Sequence, residues 1–240
     1  MNKAYFTSAV KTTLPVFFGY IAIGIPFGLI IVNAGYPAWV APVMSAVMYA
    51  GAGQYIAVGL FAAGASLGTI ALTELLVNIR HIVYGLSLIT KFKNVGKWKP
   101  YLIFALTDET YSILTGCDVP EGADAGKYYG TIALLDQAYW IAGSAVGAAA
   151  GKLIPFSLTG VDFALTALFA VLLIEQLEKS RDFLPPVIGA AAAVAAVLLA
   201  RFGVMPSGNI LIAALAFGIA ALILIRGRSF GKTSDAEVRK

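Results

Sequence analysis

Charge is scarce in this chain. Only 12% of its 240 residues are Asp, Glu, Lys or Arg, about half the share usual in soluble domains. There is one cysteine, Cys117, and one histidine, His81. A lone cysteine excludes an internal disulfide framework and a cysteine-based zinc site, and a lone histidine argues against a histidine-rich metal centre. No G-x-x-x-x-G-K-[ST] loop occurs, so no phosphate cradle of that type is available to draw energy from a nucleotide. No A-x-A site follows the first apolar run, Leu14 to Val32, which is also too long for the core of a secretory signal. The N-terminus, with Lys3 and Lys11, is expected to stay in the cytoplasm.

Apolar residues fill the space that charge leaves. They make up 59% of the chain, more than a globular domain of this length buries, and lipid is the solvent that accepts the excess. The net charge of +4 sits mostly at the ends of apolar runs, as in membrane proteins, and does not form the basic face that nucleic acid requires. The runs predict helices at 14–33, 39–63, 67–90, 101–116, 128–150, 162–177, 185–201 and 208–226. A segment in lipid must satisfy its own backbone. The expected fold is an all-α polytopic membrane protein with about eight hydrophobic helical segments, some broken or re-entrant. Residues 1–13 form a cytoplasmic N-terminus, 14–226 a single transmembrane transport domain, and 227–240 a polar, basic C-terminal tail.

Glycine and proline mark candidate breaks. Gly24, Pro26 and Gly28 fall inside the first run, and Gly51 and Gly53 interrupt the second in "YAGAGQY". Breaks of this kind free backbone groups that line a cavity, although both residues are also simply commoner in transmembrane helices. Eight full spans with the N-terminus inside would place Lys91, Lys93, Lys97 and Lys99 outside, against the positive-inside tendency. If 39–63 and 101–116 each enter and leave on one side, those lysines, Lys127, Lys179, Arg181 and the basic tail all fall inside. Only Lys152 and Arg201 then fall outside. Both arrangements put both termini in the cytoplasm of a multi-pass plasma-membrane protein. Gly143, Gly147 and Gly151 repeat every four residues and form a face for close helix packing, within the chain or, as the second choice, against another subunit.

Six ionisable residues lie in or near apolar runs: Glu74, Arg80, His81, Asp108, Glu109 and Asp136. An isolated charge at the bilayer centre costs about 2.5–3.5 kcal/mol on insertion scales, so each needs a partner, water or an interface. In one helix over 67–90, Glu74, Asn78 and His81 share a face at i, i+4 and i+7, and Arg80 and Tyr84 share a neighbouring one. The planar fork of Arg80 suits a carboxylate, which is either a substrate's or that of Asp108, Glu109 or Glu74. "FALTDETY" sets Thr107, Asp108, Glu109 and Thr110 on a short helix, where two adjacent carboxylates repel, an arrangement suited to proton coupling. "LLDQAYW" adds Asp136, Gln137, Tyr139 and Trp140, the last two also readable as interface anchors.

"VNIRHIVYGLSL" and "LTDETY", with "YAGAGQY" before them and "GVDFALTALFAVLL" after, resemble the AzlC family from about residue 12 to 180. The resemblance implies the large subunit of an exporter of branched-chain amino acids, working with a small hydrophobic AzlD-type membrane subunit. Matched to the family's motifs and read physically, the substrate-binding candidates are Gly51, Gly53, Gln54, Asn78, Arg80, Tyr84, Asp108 and Glu109. The proton-coupling candidates are His81, Asp108, Glu109 and Glu74. Arg80, with the broken backbone at Gly51 to Gly53, would take a substrate carboxylate; Asp108 or Glu109 the ammonium; and apolar walls around Tyr84 and Phe104 the aliphatic tail. An ion gradient, most simply of protons, or the substrate gradient would supply the energy. A channel or structural subunit for another small solute is the alternative. An intramembrane enzyme using His81 and Asp108 lacks a nucleophile motif and metal-ligand spacing, so neither enzymatic activity nor a cofactor is expected.

Overall fold

The computed structural model describes residues 3–153, 163–206 and 209–238. The described elements are eleven α-helices and one 3-10 turn. They divide into two compact units, Met1–Ala62 with Val77–Leu168, and Ala63–Leu76 with Phe169–Lys240.

Two long helices form the spine of the first unit. α1 is Lys3–Asn33 and α8 is Ala125–Leu153. At 1.5 Å per residue they run about 46 and 43 Å, longer than the roughly 30 Å hydrocarbon core. They pack backbone to backbone. Gly28 lies against the Ser144 carbonyl and the Ala148 amide, and Gly147 lies against the Ile25 carbonyl. A Cβ on Gly143 would come within 2.9 Å of the Tyr20 carbonyl oxygen. Lipid supplies no hydrophobic drive between helices, so this close approach, with its dense van der Waals contact, is what holds them.

The glycine repeat of α8 is therefore a packing face within the chain, and the alternative use as a subunit contact is displaced because α1 occupies it. Gly24 and Gly28 of α1 serve the same contact and do not break the helix. α1 is continuous through Pro15 and Pro26. Near Pro26, the Ile23 carbonyl accepts a 2.6 Å hydrogen bond from the Tyr55 hydroxyl, a side-chain partner for a backbone group at depth.

Two broken segments pack on this spine. Segment 39–63 is α2 (Val40–Val47) and α3 (Gly51–Ala62). The break falls at Met48–Ala50, slightly before the expected glycines, with Tyr49 in the left-handed region at φ 43°. Gly51 opens α3 under the Trp140 ring, where a Cβ would lie 3.3 Å from the indole. Segment 101–116 is α6 (Lys99–Phe104) and α7 (Asp108–Gly116), preceded by the 3-10 turn Gly96–Trp98. Thr107 caps α7 by accepting from the Thr110 N–H at 3.2 Å.

The residues flanking each pair come together. The rings of Tyr36 and Phe61 are 6.0 Å apart. Lys91 Nζ donates to the Leu114, Thr115 and Cys117 carbonyls at 2.6, 3.2 and 2.8 Å, so its three hydrogens satisfy the open end of α7. Each pair is thus a hairpin of half-helices. Their tips also meet, with Tyr49 and Phe104 rings 6.4 Å apart. Gln137 of α8 ties the hairpins together by accepting from Tyr101 at 2.8 Å and donating to the Ala46 carbonyl at 2.9 Å.

Segment 67–90 is also interrupted. It gives α4 (Leu67–Asn78) and α5 (Arg80–Ser87), parted at Ile79. Ile79 keeps helical angles, φ −56° and ψ −26°, and no glycine or proline marks the place. Glu74 and Asn78 lie on α4 and His81 on α5, so the expected face spans the interruption.

The second unit holds most of α4 and most of α9 (Phe163–Ser180), with α10 (Leu184–Arg201) and α11 (Ile210–Val238). Ser66 caps α4 through the Thr69 N–H at 3.1 Å. Asp182 accepts from the Leu184 N–H at 3.0 Å to start α10. α11 runs on past residue 226 into the polar stretch. Asp162, which opens the expected segment 162–177, and Gly208, which opens 208–226, lie outside the described residues. Among the described helices, Lys3–Asn33 and Leu184–Arg201 are apolar and long enough to cross a membrane alone; segments 39–63, 67–90 and 101–116 are each divided.

The α1–α8 contact yields the first prediction. Gly147→Val drives methyl groups into the α1 backbone and should cost on the order of 1–3 kcal/mol or more, read as a fall of several degrees in the unfolding temperature of the purified protein. Gly19→Ala adds a Cβ that meets nothing within 4 Å and should leave that temperature unchanged or slightly raised. Equal behaviour of the two variants would contradict the contact.

Candidate functional site

Arg80 opens α5 and Tyr84 follows one turn later on the same face. Both reach the first residue of α7. Arg80 Nη1 lies 2.8 Å from Asp108 Oδ2, and the Tyr84 hydroxyl donates to Asp108 Oδ1 at 2.5 Å. Both carboxylate oxygens are thus engaged. The Tyr84 ring stacks on Tyr111 with centroids 4.3 Å apart, and His81 stands edge-on to Tyr84 at 5.7 Å. The ion pair is not sealed, because the side chains of Arg80 and Asp108 keep 32% and 23% of their surface exposed. Arg80 Nε is buried and has no hydrogen-bond partner.

Glu109 turns the other way. Its Oε2 lies 2.8 Å from the hydroxyl of Tyr20 on α1. The Tyr20 hydroxyl is also 2.6 Å from Thr107 Oγ1, which is 3.1 Å from Thr110 Oγ1. Thr110 Oγ1 in turn lies 2.9 Å from Asp136 Oδ2 on α8. Asp136 is completely buried, and its Oδ1 and the hydroxyl of Tyr49 have no partner in hydrogen-bonding geometry. The adjacent carboxylates of "TDET" therefore diverge, Asp108 to a cation and Glu109 to hydroxyls.

A separate polar chain is fully paired. Trp140 Nε1 donates to Gln54 Oε1 at 2.8 Å, Gln54 Nε2 to Ser45 Oγ at 3.2 Å, and Ser45 to Ser144 Oγ at 2.8 Å. Ser144 donates to the Ile141 carbonyl at 2.9 Å. Trp140 is buried and is not an interface anchor. Tyr139 reaches Thr13 Oγ1 on α1 at 3.2 Å.

Of the residues singled out in the sequence, the structure brings together Arg80, Tyr84, Asp108 and His81, and connects Glu109 to a second cluster. Gln54 is committed to Trp140 and Ser45. Gly51 lies under Trp140, Gly53 is buried in α3, and Asn78 closes α4 just before the interruption. Glu74 belongs to the second unit. The reading of the sequence missed Tyr20 and Tyr49 and left Asp136 without a partner. A carboxylate in "LLDQAYW" was the available signal for Asp136. Nothing in their neighbours distinguishes the two tyrosines from core aromatics. Among the described residues no group of three His, Cys, Asp or Glu side chains is placed to hold a metal ion.

The pair predicts non-additive stability. Arg80→Gln strands Asp108 and should lower unfolding stability by about 1–3 kcal/mol, below the cost of breaking a fully buried pair because both groups are partly exposed. Asp108→Asn added to Arg80→Gln should recover at least half of that loss in thermal unfolding of the purified variants. Strictly additive losses would mean that the two side chains are not coupled.

The AzlC protein family matches residues 15–154, which covers both hairpins, the Arg80–Asp108 pair and α8. The chain is 37% identical over 205 residues to the branched-chain amino acid transport protein AzlC of Bacillus subtilis, covering 83% of this chain and 80% of that one. It is 40% identical over 222 residues to a membrane protein of Helicobacter pylori, covering 92% and 95%. It is 30% identical over 188 residues to the inner membrane protein YgaZ of Escherichia coli, covering 75% and 77%. No solved structure matches the chain. With the family's match spanning the helices that build the site, and with relatives of this similarity along most of its length, the chain is an all-α membrane protein of the AzlC family.

Proposed function

We propose that this chain is the large subunit of a secondary transporter that exports leucine-like, branched-chain amino acids across the plasma membrane, driven by a proton gradient, with a small hydrophobic AzlD-type subunit as partner. The observation that carries the reading is the partly exposed Arg80–Asp108 pair beside Tyr84. A zwitterion is itself a carboxylate joined to an ammonium, so it can replace the internal pair charge for charge. The substrate carboxylate takes Arg80, and the freed Asp108 takes the ammonium. The exchange leaves no charge unpaired in either state, which keeps the cost of an unpaired charge in a low-dielectric site small. Aromatic surface from Tyr84 and Tyr111 offers the aliphatic tail an apolar wall.

Discontinuous helices at membrane depth are the usual setting of such sites in secondary transporters. The two hairpins support a re-entrant course for 39–63 and 101–116, because the residues flanking each lie together. That course places Lys91 to Lys99 and both termini in the cytoplasm.

Flux of labelled leucine into proteoliposomes, with and without a pH gradient, tests the reading. Saturable flux that responds to the gradient is expected, with little export from this chain when no AzlD-type protein is present. Arg80→Lys keeps the charge but loses the planar fork, and should reduce flux at least tenfold while the protein still folds. Unchanged leucine affinity in a well-folded Arg80→Gln protein would remove Arg80 from the site. Full export by this chain alone would remove the partner.

Orientation has its own check. With Cys117 replaced, single cysteines at Asn94 and Gly122 should resist an impermeant thiol reagent applied to intact cells. Labelling of Asn94 from outside would refute the re-entrant course.

A further inference from the structure

We propose that Glu109 and Asp136 share a single proton through a wire of three hydroxyls, Tyr20, Thr107 and Thr110, and that this wire is the proton-carrying element of the transporter. Its role in transport rests on the proton-coupled reading above; the shared proton itself rests on a count of hydrogens. Five oxygens stand in a row: Glu109 Oε2, Tyr20 Oη, Thr107 Oγ1, Thr110 Oγ1 and Asp136 Oδ2. They make four contacts, of 2.8, 2.6, 3.1 and 2.9 Å, all within hydrogen-bonding range. Four hydrogen bonds need four hydrogens. The three hydroxyls supply one each, and an ionised carboxylate supplies none.

With both carboxyls ionised, Thr110 donates to Asp136, Thr107 to Thr110 and Tyr20 to Glu109. The shortest contact in the row, Tyr20 to Thr107 at 2.6 Å, is then left as two facing lone pairs. The Thr110 N–H cannot repair it, because it donates to Thr107 Oγ1 at 3.2 Å and uses only an acceptor site there. A fourth hydrogen on one carboxyl completes the row. If Glu109 carries it, every hydrogen bond points from Glu109 towards Asp136; if Asp136 carries it, every one points back.

Passing between these two states breaks and makes only O–H bonds. Each oxygen hands its hydrogen to the next, the hydroxyls end with one hydrogen apiece, and the proton has moved from a residue of α7 to a residue of α8. The surroundings offer no rival counter-ion. Tyr49 between α2 and α3 and Tyr101 of α6 face Asp136. Asp108 neighbours Glu109 and is already paired with Arg80. Among the described residues neither Glu109 nor Asp136 has an ion pair. Asp136 Oδ1 has no partner, and the Tyr49 hydroxyl stands beside Asp136 and beside Tyr20 and Thr110 of the row, so a proton can be handed onward there.

Infrared spectroscopy of the purified full-length protein tests the count. At neutral pH the wild type should show the carbonyl stretch of a protonated carboxyl, shifted in heavy water. Asp108→Asn should retain the band, and Glu109→Gln combined with Asp136→Asn should abolish it. Thr107→Val removes the middle of the row and leaves two contacts, Tyr20 to Glu109 and Thr110 to Asp136, each with its own hydroxyl hydrogen, so the band should fall at least twofold, whereas Thr107→Ser should keep it. In proteoliposomes, flux driven by a pH gradient should fall at least tenfold in Thr107→Val relative to Thr107→Ser. Absence of the band in wild type, or a band of equal strength in Thr107→Val, overturns the shared proton. Gradient-driven flux that is equal in Thr107→Val and Thr107→Ser overturns the wire's part in transport. The expected band pattern with wild-type flux indifferent to pH would uphold the shared proton and defeat its part in transport, together with the proton-coupled reading.

Discussion

A polar group buried in a lipid-embedded chain has no water to fall back on, and the first unit is organised around that constraint. At several helix ends and bends inside it, open backbone groups are met by side chains. Lys91 closes the end of α7, Thr107 closes its start, Gln137 reaches the Ala46 carbonyl near the end of α2, and Tyr55 reaches the Ile23 carbonyl near Pro26. The charged groups obey the same constraint through the Arg80–Asp108 pair and the hydroxyls beside Glu109 and Asp136. The half-helices are therefore not loose here; polar partners converge at both ends of α7 and near the end of α2.

The convergence depends on an apolar frame. α1 and α8 meet through hydrogen-sized side chains, and that closeness is what lets Tyr20 of α1 and Asp136 of α8 join one row of contacts with residues of α7. Fully buried Phe27, Ile31, Leu102, Leu114 and Ile132 surround the polar clusters with dense packing, and dense packing strengthens the electrostatics inside by excluding water. Outward-facing Phe18, Val47, Val83 and Leu86 stay exposed, as lipid-facing positions do.

Much of this was legible in the sequence where spacing or rarity carried the signal. Arg80 and Tyr84 stand four residues apart, so a shared face followed from helical geometry, and the need of a lone arginine for a carboxylate narrowed its partner to three candidates, of which Asp108 is the one found. The glycine repeat at Gly143, Gly147 and Gly151 announced a close contact. The interruption at Ile79 could not be read, because its residue type is an ordinary helix former and its angles stay helical. The break at Met48–Ala50 was displaced from the glycines because Tyr49, not a glycine, takes the left-handed turn. Tyr20 and Tyr49 escaped because a tyrosine in an apolar run has the same signature whether its hydroxyl meets lipid headgroups or a buried carboxylate. Gly24, Pro26 and Gly28 look like a helix breaker in sequence, and only a partner helix shows them to be a groove.

That groove limits what kind of machine the first unit can be. With Gly28 pressed on the Ser144 carbonyl and Gly147 on that of Ile25, α1 and α8 are keyed like two notched rods. Turning either about its own axis by one residue, about 100°, would bring a branched side chain such as Ile25 or Val146 to a notch sized for a hydrogen atom. The two helices can only travel as one body, an axle for the unit. Any rearrangement that opens one side of the site and closes the other must be taken up by the half-helices clasped to it, at the joints beside Tyr49, Ile79 and Leu106.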